Sequence, residues 1–507
     1  MSAANGPGPT WDPPRRWWQR PWRVAALVVA VVLVAAGVYW VVRPSVGCGV
    51  SGVEKHGPDH ECVGVTDGSY AFSPDLAHLS DLVRQENERV AKGGGDSWVS
   101  VVYLASMVPG EGGTTTTDSI RHELEGAYTA QWVANNTHTH GDAPKIRLLL
   151  AHSGGSDDAR AFTLRRIEER IGPDHIVAVA GLGTSTSATR ATIKELIGHD
   201  LATFGSVLTS NDLTGLQGLA RVVPANSDEA AAAATYLRSS HPGAKVLLVQ
   251  DRRSDDLYTR TLADSFRASY PPGDLVSQPM VYDSSKSDVA TYFTQAMANV
   301  CLEKPQVIFY AGRGVDLPKF LSPLAGRQCA DQPLTVLSGD DASLVERSAG
   351  IDEVKDALRL GNIRLVYTGL AHPEAWTKRP QSFNSTAIAP FQSGGRFPAA
   401  FPHEPLDDGQ AITGYDAVLT AVTAIRYAAQ GPSGPNRVRG QDVIQMLPAL
   451  TGVKAVSGAS GLISLDPDGN PVNKAIPIVE LNKDGSVHTV AVSSRNGTPP
   501  DARPQGG

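Results

Sequence analysis

Hydrophobic positions follow two patterns along the chain, with one long run near the start and many short runs after it. Residues 22–42 form an almost uncharged apolar run, and about 20 such residues are what a helix needs to cross the hydrocarbon of a bilayer. From Trp98 onward, short runs of Val, Ile and Leu alternate with stretches whose apolar residues recur at helical spacing. Strands that read as continuous apolar runs are covered on both faces, as in a parallel sheet between helices. The pattern predicts a transmembrane helix followed by a doubly wound α/β body.

The predicted body contains two series of alternating strands and helices. In the first series the strands are residues 99–104, 146–150 and 176–182, and one helix face carries Ile120, Leu124, Ala127 and Tyr128. In the second series the strands are residues 245–250, 275–282, 307–312 and 334–337, with helices at 227–240, 256–270, 288–303 and 317–324. Helices at 414–429 and 440–450 then precede a hairpin-like end formed by residues 461–465, a turn at 466–469, and residues 476–481. Two doubly wound lobes are therefore expected.

Positive charge is unevenly distributed around the long apolar run. Arginines before the run or at its start outnumber those close to its far end: Arg15, Arg16, Arg20 and Arg23 against Arg43. The positive-inside rule then puts the N-terminus in the cytoplasm and the chain beyond Arg43 outside it. Residues 1–21 are too short to fold, so any signal has to leave through a partner.

Two interpretations of the membrane attachment stay open. Tryptophans flank the apolar run as interfacial anchors do: Trp17, Trp18, Trp22 and Trp40. A cleavable signal peptide has a shorter apolar region, so these features favour an uncleaved signal anchor that crosses the cell membrane once. The alternative is a lipoprotein attached at Cys48, although Ser45-Val46-Gly47-Cys48 is a poor lipobox. Both interpretations leave the protein on the membrane.

The composition fits a folded, exported protein. The chain has 507 residues, of which 41% are hydrophobic and 19% charged, and its formal net charge is -7. Apolar residues therefore suffice for more than one core, and the weak acidity argues against nucleic acid as a partner. Four cysteines in an oxidising compartment are most simply read as two disulfides, and the favoured pairing is local, Cys48 with Cys62 and Cys301 with Cys329. Other connectivities and a metal site are the alternatives, but no pair has the two-residue spacing of a zinc knuckle.

Motifs of common enzymes and cofactor sites are missing from the sequence. It has no Gly-x-x-x-x-Gly-Lys-Ser/Thr loop, no His-Glu-x-x-His, no Gly-x-Ser-x-Gly and no Gly-x-Gly-x-x-Gly after the first strand. Since no nucleophile and base can be paired, we expect neither enzyme activity nor a cofactor. His138 and His140 could chelate a metal, but histidines in a polar loop are more often solvated. Asp466 and Asp468 lack the remaining ligands of a calcium loop and indicate a turn.

The segment from Gly181 to Ala191, GLGTSTSATRA, is the most informative candidate for a binding site. It lies where a strand ends and a helix begins, which in an open α/β sheet is where ligands bind. The hydroxyls of Thr184, Ser185 and Thr186 and the free N–H groups of the helix start suit a carboxylate or another anion. The alternative is plain N-capping by a turn rich in Ser and Thr.

Further segments accompany this loop in a characteristic order: Leu201-Ala-Thr-Phe-Gly-Ser-Val-Leu-Thr-Ser-Asn-Asp-Leu-Thr214, Arg221-Val-Val-Pro-Ala-Asn-Ser-Asp-Glu-Ala230, Lys245-Val-Leu-Leu-Val-Gln-Asp251, Ile308-Phe-Tyr-Ala-Gly-Arg313, Leu337-Ser-Gly-Asp-Asp341, Gly414-Tyr-Asp-Ala417 and Gly461-Leu-Ile-Ser-Leu-Asp466. In order and spacing the series resembles the type I periplasmic binding proteins. Within them it is most similar to the substrate-binding proteins of ABC importers for the branched-chain amino acids Leu, Ile and Val. The resemblance covers roughly residues 98 to 490.

The resemblance implies a clamp of two Rossmann-like lobes joined by a hinge that the chain crosses three times. Lobe one takes residues 96–220 and 370–458, and lobe two takes residues 221–369 and 459–495. The remaining segments are a cytoplasmic tail (1–21), the transmembrane helix (22–42), a disulfide-tied lead-in (44–95) and a disordered tail (496–507). A ligand is then enclosed in the cleft by hinge closure.

The resemblance also implies which residues hold the ligand. In amino-acid-binding members, the Ser/Thr loop and a later Ala-x-Thr segment bind the α-carboxylate and share the α-ammonium, and an acid of the second lobe faces the ammonium. The matching positions here are Thr184, Ser185, Thr186, Val207, Thr209 and Asp340, with Asp341 beside the last. Hydroxyls and N–H groups would pair the anion and one carboxylate the cation, which satisfies both charges once water is excluded.

Two residues depart from the family pattern. Arg313 stands where an aromatic residue is expected to line the cleft, and the aspartate at 340 replaces a longer glutamate. The extra cation either selects an acidic or phosphorylated ligand or forms a salt bridge to Asp316 or Asp340. The acid at 340 has its own alternative role as a helix cap.

Two functions agree with these features. The first is a membrane-anchored solute-binding protein that hands an amino acid or similar small polar solute to an ABC permease. The second is a receptor-like sensory ectodomain whose ligand-dependent closure is read by a membrane partner. The predicted transmembrane anchor favours it, because binding proteins of importers usually diffuse freely or are attached through a lipid. Both predict the same kind of cleft and differ in the partner.

Overall fold

A computed structural model describes residues 24–34, 47–93, 97–110, 113–348, 350–432 and 434–502, together with Gly6 and Gly8. The strands are β1 (Val53–His56), β2 (Glu61–Thr66), β3 (Trp98–Ala105), β4 (Lys145–His152), β5 (Ile176–Gly181), β6 (Ala202–Gly205), β7 (Leu219–Arg221), β8 (Val246–Asp251), β9 (Met280–Tyr282), β10 (Val307–Ala311), β11 (Leu334–Ser338), β12 (Ile363–Thr368), β13 (Val456–Gly458), β14 (Gly461–Ile463), β15 (Ile476–Leu481) and β16 (Val487–Ser493). The helices are α1 (Ala77–Lys92), α2 (Thr117–Asn136), α3 (Asp157–Arg170), α4 (Ser187–Gly198), α5 (Asn226–Ser240), α6 (Leu257–Ser269), α7 (Val289–Glu303), α8 (Leu317–Ala325), α9 (Ile351–Leu360), α10 (Pro373–Lys378), α11 (Ser385–Ile388), α12 (Arg396–Ala400), α13 (Gln410–Ala429) and α14 (Gly440–Met446).

Two mixed sheets organise these elements into two lobes. The first sheet has the order β1-β2-β4-β3-β5-β6-β7, and its strands from β4 to β7 run parallel. The second has the order β16-β15-β12-β11-β10-β8-β9, with β15 antiparallel to both of its neighbours, β12 and β16. The central strands of both sheets are buried on both faces by the flanking helices, as the continuous apolar runs predict. The two-lobed α/β fold is confirmed, and lobe one and lobe two below mean the bodies built on the first and second sheet.

The chain passes between the lobes three times. It leaves the first sheet after β7, returns after β12 to place α13 on lobe one, and enters the second sheet again at β15. Helix α13 packs along α2, and two glycines allow the close approach. A Cβ added at Gly126 would lie 1.8 Å from the carbonyl oxygen of Ala411, and one at Gly414 would lie 2.1 Å from that of Glu123. This contact fixes the N-terminal halves of both helices beside the cleft.

Both disulfides are local. Cys48 pairs with Cys62 and Cys301 with Cys329, with S–S distances of 2.03 and 2.05 Å. This is the pairing that the sequence favours. The first disulfide ties β2 to the chain before β1, and β2 pairs antiparallel with β4, so the segment ahead of β3 extends the first sheet.

Three segments differ from the predicted pattern or lie beyond the described residues. Of the predicted transmembrane helix, residues 24–34 are described and are helical, and the rest lies outside the described residues. Among the described helices none is both long and apolar enough to cross a bilayer. The predicted hairpin between residues 461–465 and 476–481 is wrong. Gly461–Ile463 pairs with Val456–Gly458, and Ile476–Leu481 pairs with β12 and β16. Residues 496–502, assigned to the tail, are described, and the N–H of Ala502 donates to Gln381 at 2.8 Å.

Candidate ligand-binding cleft

The carboxyl ends of the parallel strands of both lobes meet at a closed cleft. Lobe one supplies Thr115, Ser119, Glu123, Thr184, Val207 and Gln410, and lobe two supplies Tyr258, Arg313, Asp340, Asp341 and Leu344. The cavity between them has a volume of about 20 Å³. A single water fills roughly 10–15 Å³ on the same measure, so a solute of amino-acid size requires the lobes to part or side chains to move.

Backbone hydrogen bonds join the two lobes at the mouth of the cleft. The N–H of Ser187 donates to Asp255 at 2.9 Å, and the N–H of Leu257 donates to Ser185 at 3.1 Å. A salt bridge between Arg260 and Asp212 lies beside them. A single hydrogen bond contributes little net stability, so a seam built from such bonds suits a reversible closure.

The predicted Ser/Thr loop only partly faces the cavity. Thr184 lines it, with its hydroxyl 2.7 Å from that of Thr114. Ser185 is 1% exposed, and its hydroxyl accepts from the N–H groups of Thr209 and Ser210 at 3.1 and 3.2 Å. Thr186 is the N-cap of α4 and accepts from the N–H of Thr189. In this closed arrangement, two of the three hydroxyls therefore accept from backbone N–H groups of the protein itself.

The segment that corresponds to Ala-x-Thr, residues 207–209, also faces the cavity only in part. Val207 lines the cavity, whereas Thr209 is 1% exposed and lies behind it. The hydroxyl of Thr209 is buried without a hydrogen-bond partner among the described residues.

Arg313 lies fully inside the cleft, at the end of β10. Its Nε and Nη2 donate to the two carboxylate oxygens of Asp256 at 2.6 and 3.0 Å, and its Nη1 donates to Asp341 at 3.2 Å. The guanidinium also stacks over the ring of Tyr258, with 4.6 Å between its central carbon and the ring centroid. The predicted partners Asp316 and Asp340 are wrong, since Asp316 instead pairs with Lys319 at 2.7 Å. Its two carboxylate partners leave Arg313 without excess positive charge.

Asp340 follows β11 and is 7% exposed. Its N–H donates to Glu229 at 3.2 Å, while its own Oδ1 is buried without a hydrogen-bond partner among the described residues. Burial raises the pKa of Asp340, the nearby charge of Asp341 adds to the rise, and Arg313 opposes it. Burial and the neighbouring Asp340 likewise raise the pKa of Glu229 well above its usual range. Two buried carboxyl groups that share one region cannot both ionise without a compensating cation.

Glu123 is a cleft residue that the sequence prediction missed. It projects from α2, where Tyr103 and Ser206 donate to its Oε2 at 2.7 and 2.6 Å, and burial raises its pKa. The sequence contains a signal that Glu123 is buried. An acid at position 123 falls on the same helix face as Ile120, Leu124 and Ala127, and a charged residue on an apolar face needs a reason to be buried.

The cleft has an excess of carboxyl groups. Glu123, Asp340 and Asp341 line the cavity, with Asp256 and Glu229 directly behind, against the single guanidinium of Arg313. Such a set accepts hydrogen bonds and positive charge, and it repels a ligand that carries only negative charge. The other sequence-level metal candidates, His138 and His140, lie outside the cleft, and neither belongs to a cluster of three metal-ligating side chains within the described residues.

This architecture of two doubly wound lobes around a cleft defines the class of periplasmic binding proteins. The family model described as "Periplasmic binding protein" matches residues 163–486, which is well over half of the chain. The chain belongs to this family, and the resemblance is confirmed. No curated protein sequence matches the chain.

Solved structures share the fold at low sequence identity. A leucine-binding protein LivK from Thermotoga maritima is 19% identical, with a TM-score of 0.58 over 78% of this chain and 98% of that one. LivJ from Streptococcus pneumoniae, solved with isoleucine, is 16% identical, with a TM-score of 0.56 over 78% and 99%. A solute-binding protein of an ABC transporter from Rhodopseudomonas palustris, solved with 3,4-dihydroxybenzoic acid, is 16% identical, with a TM-score of 0.55 over 80% and 98%.

Proposed function

We propose that this protein is a membrane-anchored, extracytoplasmic solute-binding protein that encloses an amino acid or a similar small solute with an ammonium group and delivers it to an ABC permease. The observation that carries the proposal is the closed cleft, in which a buried oxygen of Asp340 has no partner among the described residues. A buried carboxylate oxygen without a hydrogen bond is costly, and a ligand ammonium would supply the missing donors.

Solved structures of the same fold support a small organic solute as the ligand, and the pairing of Arg313 bears on the charge of that solute. One was solved with isoleucine, an amino acid that carries both charges, and another with 3,4-dihydroxybenzoic acid, an aromatic acid. Arg313 already pairs with two carboxylates, so it adds no anion site for an acidic or phosphorylated ligand. We therefore infer a ligand with a positive charge, either alone or as part of a zwitterion.

The N-terminal region supports the membrane anchor. Residues 24–34 form a helix whose large apolar side chains are exposed, from 47% at Val24 to 66% at Leu33. Such a surface is stable in lipid and unstable in water. The arginines before this segment support a cytoplasmic N-terminus and an extracytoplasmic body.

The same anchor favours a second candidate function, a sensory ectodomain whose closure is read by a membrane partner. The two functions share the cleft and differ in what lies beside the protein in the membrane. Genes for a permease and an ATPase next to this gene would support transport. Co-purification of a permease in a ligand-dependent complex is the direct test.

Ligand binding is tested by thermal unfolding of the full chain against hydrophobic amino acids, basic amino acids, diamines, aromatic acids and phosphorylated sugars. A ligand present at about 100 times its dissociation constant adds about 2.7 kcal/mol to native stability, which raises the melting temperature measurably. We expect a rise with ammonium-bearing compounds and none with aromatic acids or phosphates. A rise confined to the purely anionic compounds would contradict the proposed charge selection.

A further inference from the structure

Two acidic side chains face the cleft from opposite lobes, and neither forms a salt bridge within the described residues. Glu123 projects from α2 of lobe one, Asp340 follows β11 of lobe two, and both line the same cavity. We propose that the solute carries two cationic groups, one bound by Glu123 and one by Asp340, as in a basic amino acid or an aliphatic diamine. This identity of the ligand rests on the solute-binding function proposed above and adds a second charge to it.

The carboxyl group of Glu123 is held by lobe one alone. The hydroxyl of Tyr103 on β3 donates to its Oε2 at 2.7 Å, and the hydroxyl of Ser206, directly after β6, donates to the same oxygen at 2.6 Å. Its Oε1 accepts no hydrogen bond from the described residues. Because Glu123 is 5% exposed and lines the cavity, Oε1 is the oxygen left for a donor inside the cleft.

The surroundings of Glu123 lack a compensating cation. Burial raises the pKa of Glu123, and the nearby charge of Asp408 adds to the rise. Among the described residues that line the cavity, Arg313 is the one basic side chain, and it is bonded to Asp256 and Asp341. An ionised carboxylate in a buried site is costly without a partner of opposite charge. A cationic group of the ligand would be that partner.

The carboxyl group of Asp340 is held by lobe two alone. Its N–H donates to Oε2 of Glu229 at 3.2 Å, and the hydroxyl of Thr368 on β12 donates to the same oxygen at 2.6 Å. Oδ1 of Asp340 is buried without a hydrogen-bond partner among the described residues. A donor in the cleft is therefore missing from lobe two as well as from lobe one.

A solute that pairs with both acids joins the lobes. Each acid keeps its place through contacts within its own lobe, so both come within reach of one small molecule only when the cleft closes. A ligand shifts such an equilibrium only as far as it binds the closed state better than the open state. Two cationic groups on one molecule give this difference, whereas a single group can pair with one lobe and leave closure unchanged.

The charge of the closed cleft also matches two cationic groups. Arg313 compensates Asp256 and Asp341, which leaves Glu123 and Asp340 facing the cavity without a cation. Glu229 lies behind Asp340, and burial together with that neighbour raises its pKa well above the usual range, so it stays protonated at neutral pH. One ammonium would leave one of the two facing acids uncompensated.

Neutral polar groups of lobe one complete the lining of the cavity: Thr115, Ser119, Thr184 and Gln410. Hydroxyl and amide groups can donate to a carboxylate. A basic amino acid has such a carboxylate and a diamine does not, so the two solutes share the pair of cationic groups and differ in their use of these residues.

The test is calorimetric titration of the full chain with two matched pairs of ligands. L-norleucine lacks only the terminal ammonium of L-lysine, and pentylamine lacks one ammonium of 1,5-diaminopentane. We expect the member with two cationic groups to bind at least about tenfold more tightly within its pair, because removal of one partner from a buried charge pair typically costs that much or more. Tighter binding of lysine than of the diamine would identify a basic amino acid, and the reverse order a diamine.

Glu123→Gln tests the second cationic site directly. The amide keeps the shape of the side chain and an acceptor for Tyr103 and Ser206, but it cannot compensate an ammonium. The affinity for lysine should fall at least about tenfold, and the preference for lysine over norleucine should disappear. The matched control is Glu125→Gln, which removes an acid of similar burial two residues along α2 that does not line the cavity. It should keep the preference.

The outcomes separate this inference from the solute-binding function itself. Equal affinities of the wild type for lysine and norleucine, and for the diamine and pentylamine, would overturn the second cationic site while the function stands. A preference that survives in Glu123→Gln, or is lost equally in Glu125→Gln, would also overturn it. Failure of all four compounds to bind would overturn the function as well. The comparison of ligands on the wild type decides the matter even if Glu123→Gln does not fold.

Discussion

Two buried aspartates, one in lobe one and one in the cleft, show how differently the same side chain is used. Asp416 on α13 is fully buried, and both of its oxygens are satisfied: Oδ1 accepts from the N–H of Ala459 at 2.7 Å, and Oδ2 accepts from the N–H and hydroxyl of Ser460. Asp340 is buried to a similar degree, but its Oδ1 has no hydrogen-bond partner among the described residues.

The difference separates a structural acid from a candidate binding acid. Asp416 connects α13 to the β13–β14 hairpin, and the nearby Lys474, itself buried and donating to Gly461 at 3.0 Å, offsets its charge. Asp340 has Arg313 nearby, but Arg313 is bonded to Asp256 and Asp341. Burial raises the pKa of both aspartates, so a raised pKa does not distinguish them. The number of carboxylate oxygens with a hydrogen-bond partner does distinguish them. It predicts that substitution of Asp416 lowers stability and that substitution of Asp340 lowers ligand affinity.

The largest effect is expected from Asp416→Ala. The substitution leaves the N–H groups of Ala459 and Ser460 without acceptors and leaves Lys474 as a buried cation without its compensating charge. Breaking a buried charged network in this way typically costs about 3–5 kcal/mol. Urea unfolding of the full chain measures the loss, and an unchanged unfolding midpoint would contradict the structural role of Asp416.

Cys301→Ser is the matched control for that experiment. It opens a disulfide between residues 28 apart in lobe two, and neither cysteine lines the cleft, so loop entropy predicts a stability loss of roughly 3–4 kcal/mol without a direct effect on the ligand site. Both Asp416→Ala and Cys301→Ser should bind ligand with wild-type affinity at a temperature where they remain folded. A loss of affinity in both would mean that binding merely follows stability.

Asp340→Asn is expected to have the opposite profile. The amide cannot neutralise an ammonium, so the affinity for a positively charged ligand should fall by at least about 2 kcal/mol, or roughly 30-fold. Stability without ligand should hold or rise, because a charge next to Asp341 and Glu229 is removed. Calorimetric titration measures the affinity, and urea unfolding measures the stability without ligand. Unchanged affinity would remove Asp340 from the site.

The sequence predicted the architecture better than the contents of the cleft. Central strands such as β3, β5, β8 and β10 are buried on both faces and read as continuous apolar runs, so they were found close to their actual bounds. The short strands β6 and β7 were missed, because four and three residues carry too little periodicity to be detected.

Side chains at the ends of predicted strands could be placed in the cleft, whereas their partners could not. Arg313 and Asp340 follow β10 and β11, where an open α/β sheet binds ligands. The salt-bridge partner of Arg313 is Asp256, 57 residues away, and not the neighbouring Asp316. Glu123 and Tyr258 reach the cleft from helices. The apolar face around Glu123 indicates that this acid is buried, but whether a helical residue reaches the cleft depends on how the helices pack.

The smallest predicted effect is the pH dependence of binding. Asp340 is faced by Glu229 from α5, Tyr258 from α6, Arg313 after β10 and its neighbour Asp341, and burial is the main cause of its raised pKa. A bound ammonium needs the carboxylate form, so the affinity should increase with pH by up to about tenfold per unit below the raised pKa and level off above it.

Stability without ligand should follow the opposite trend. A carboxyl group whose pKa is raised on folding contributes stability that is complete below its unfolded pKa of about 3.9 and is lost as the pH rises through the folded pKa. Wild type should therefore lose stability relative to Asp340→Asn between about pH 4 and neutrality, and saturating ligand should cancel that loss because its ammonium compensates the carboxylate. Unfolding and calorimetric titration of both proteins from about pH 5 to pH 8 measure the two trends. An affinity that falls with rising pH would show that the cleft binds its ligand through the protonated acid, which would reverse the charge assigned to the solute.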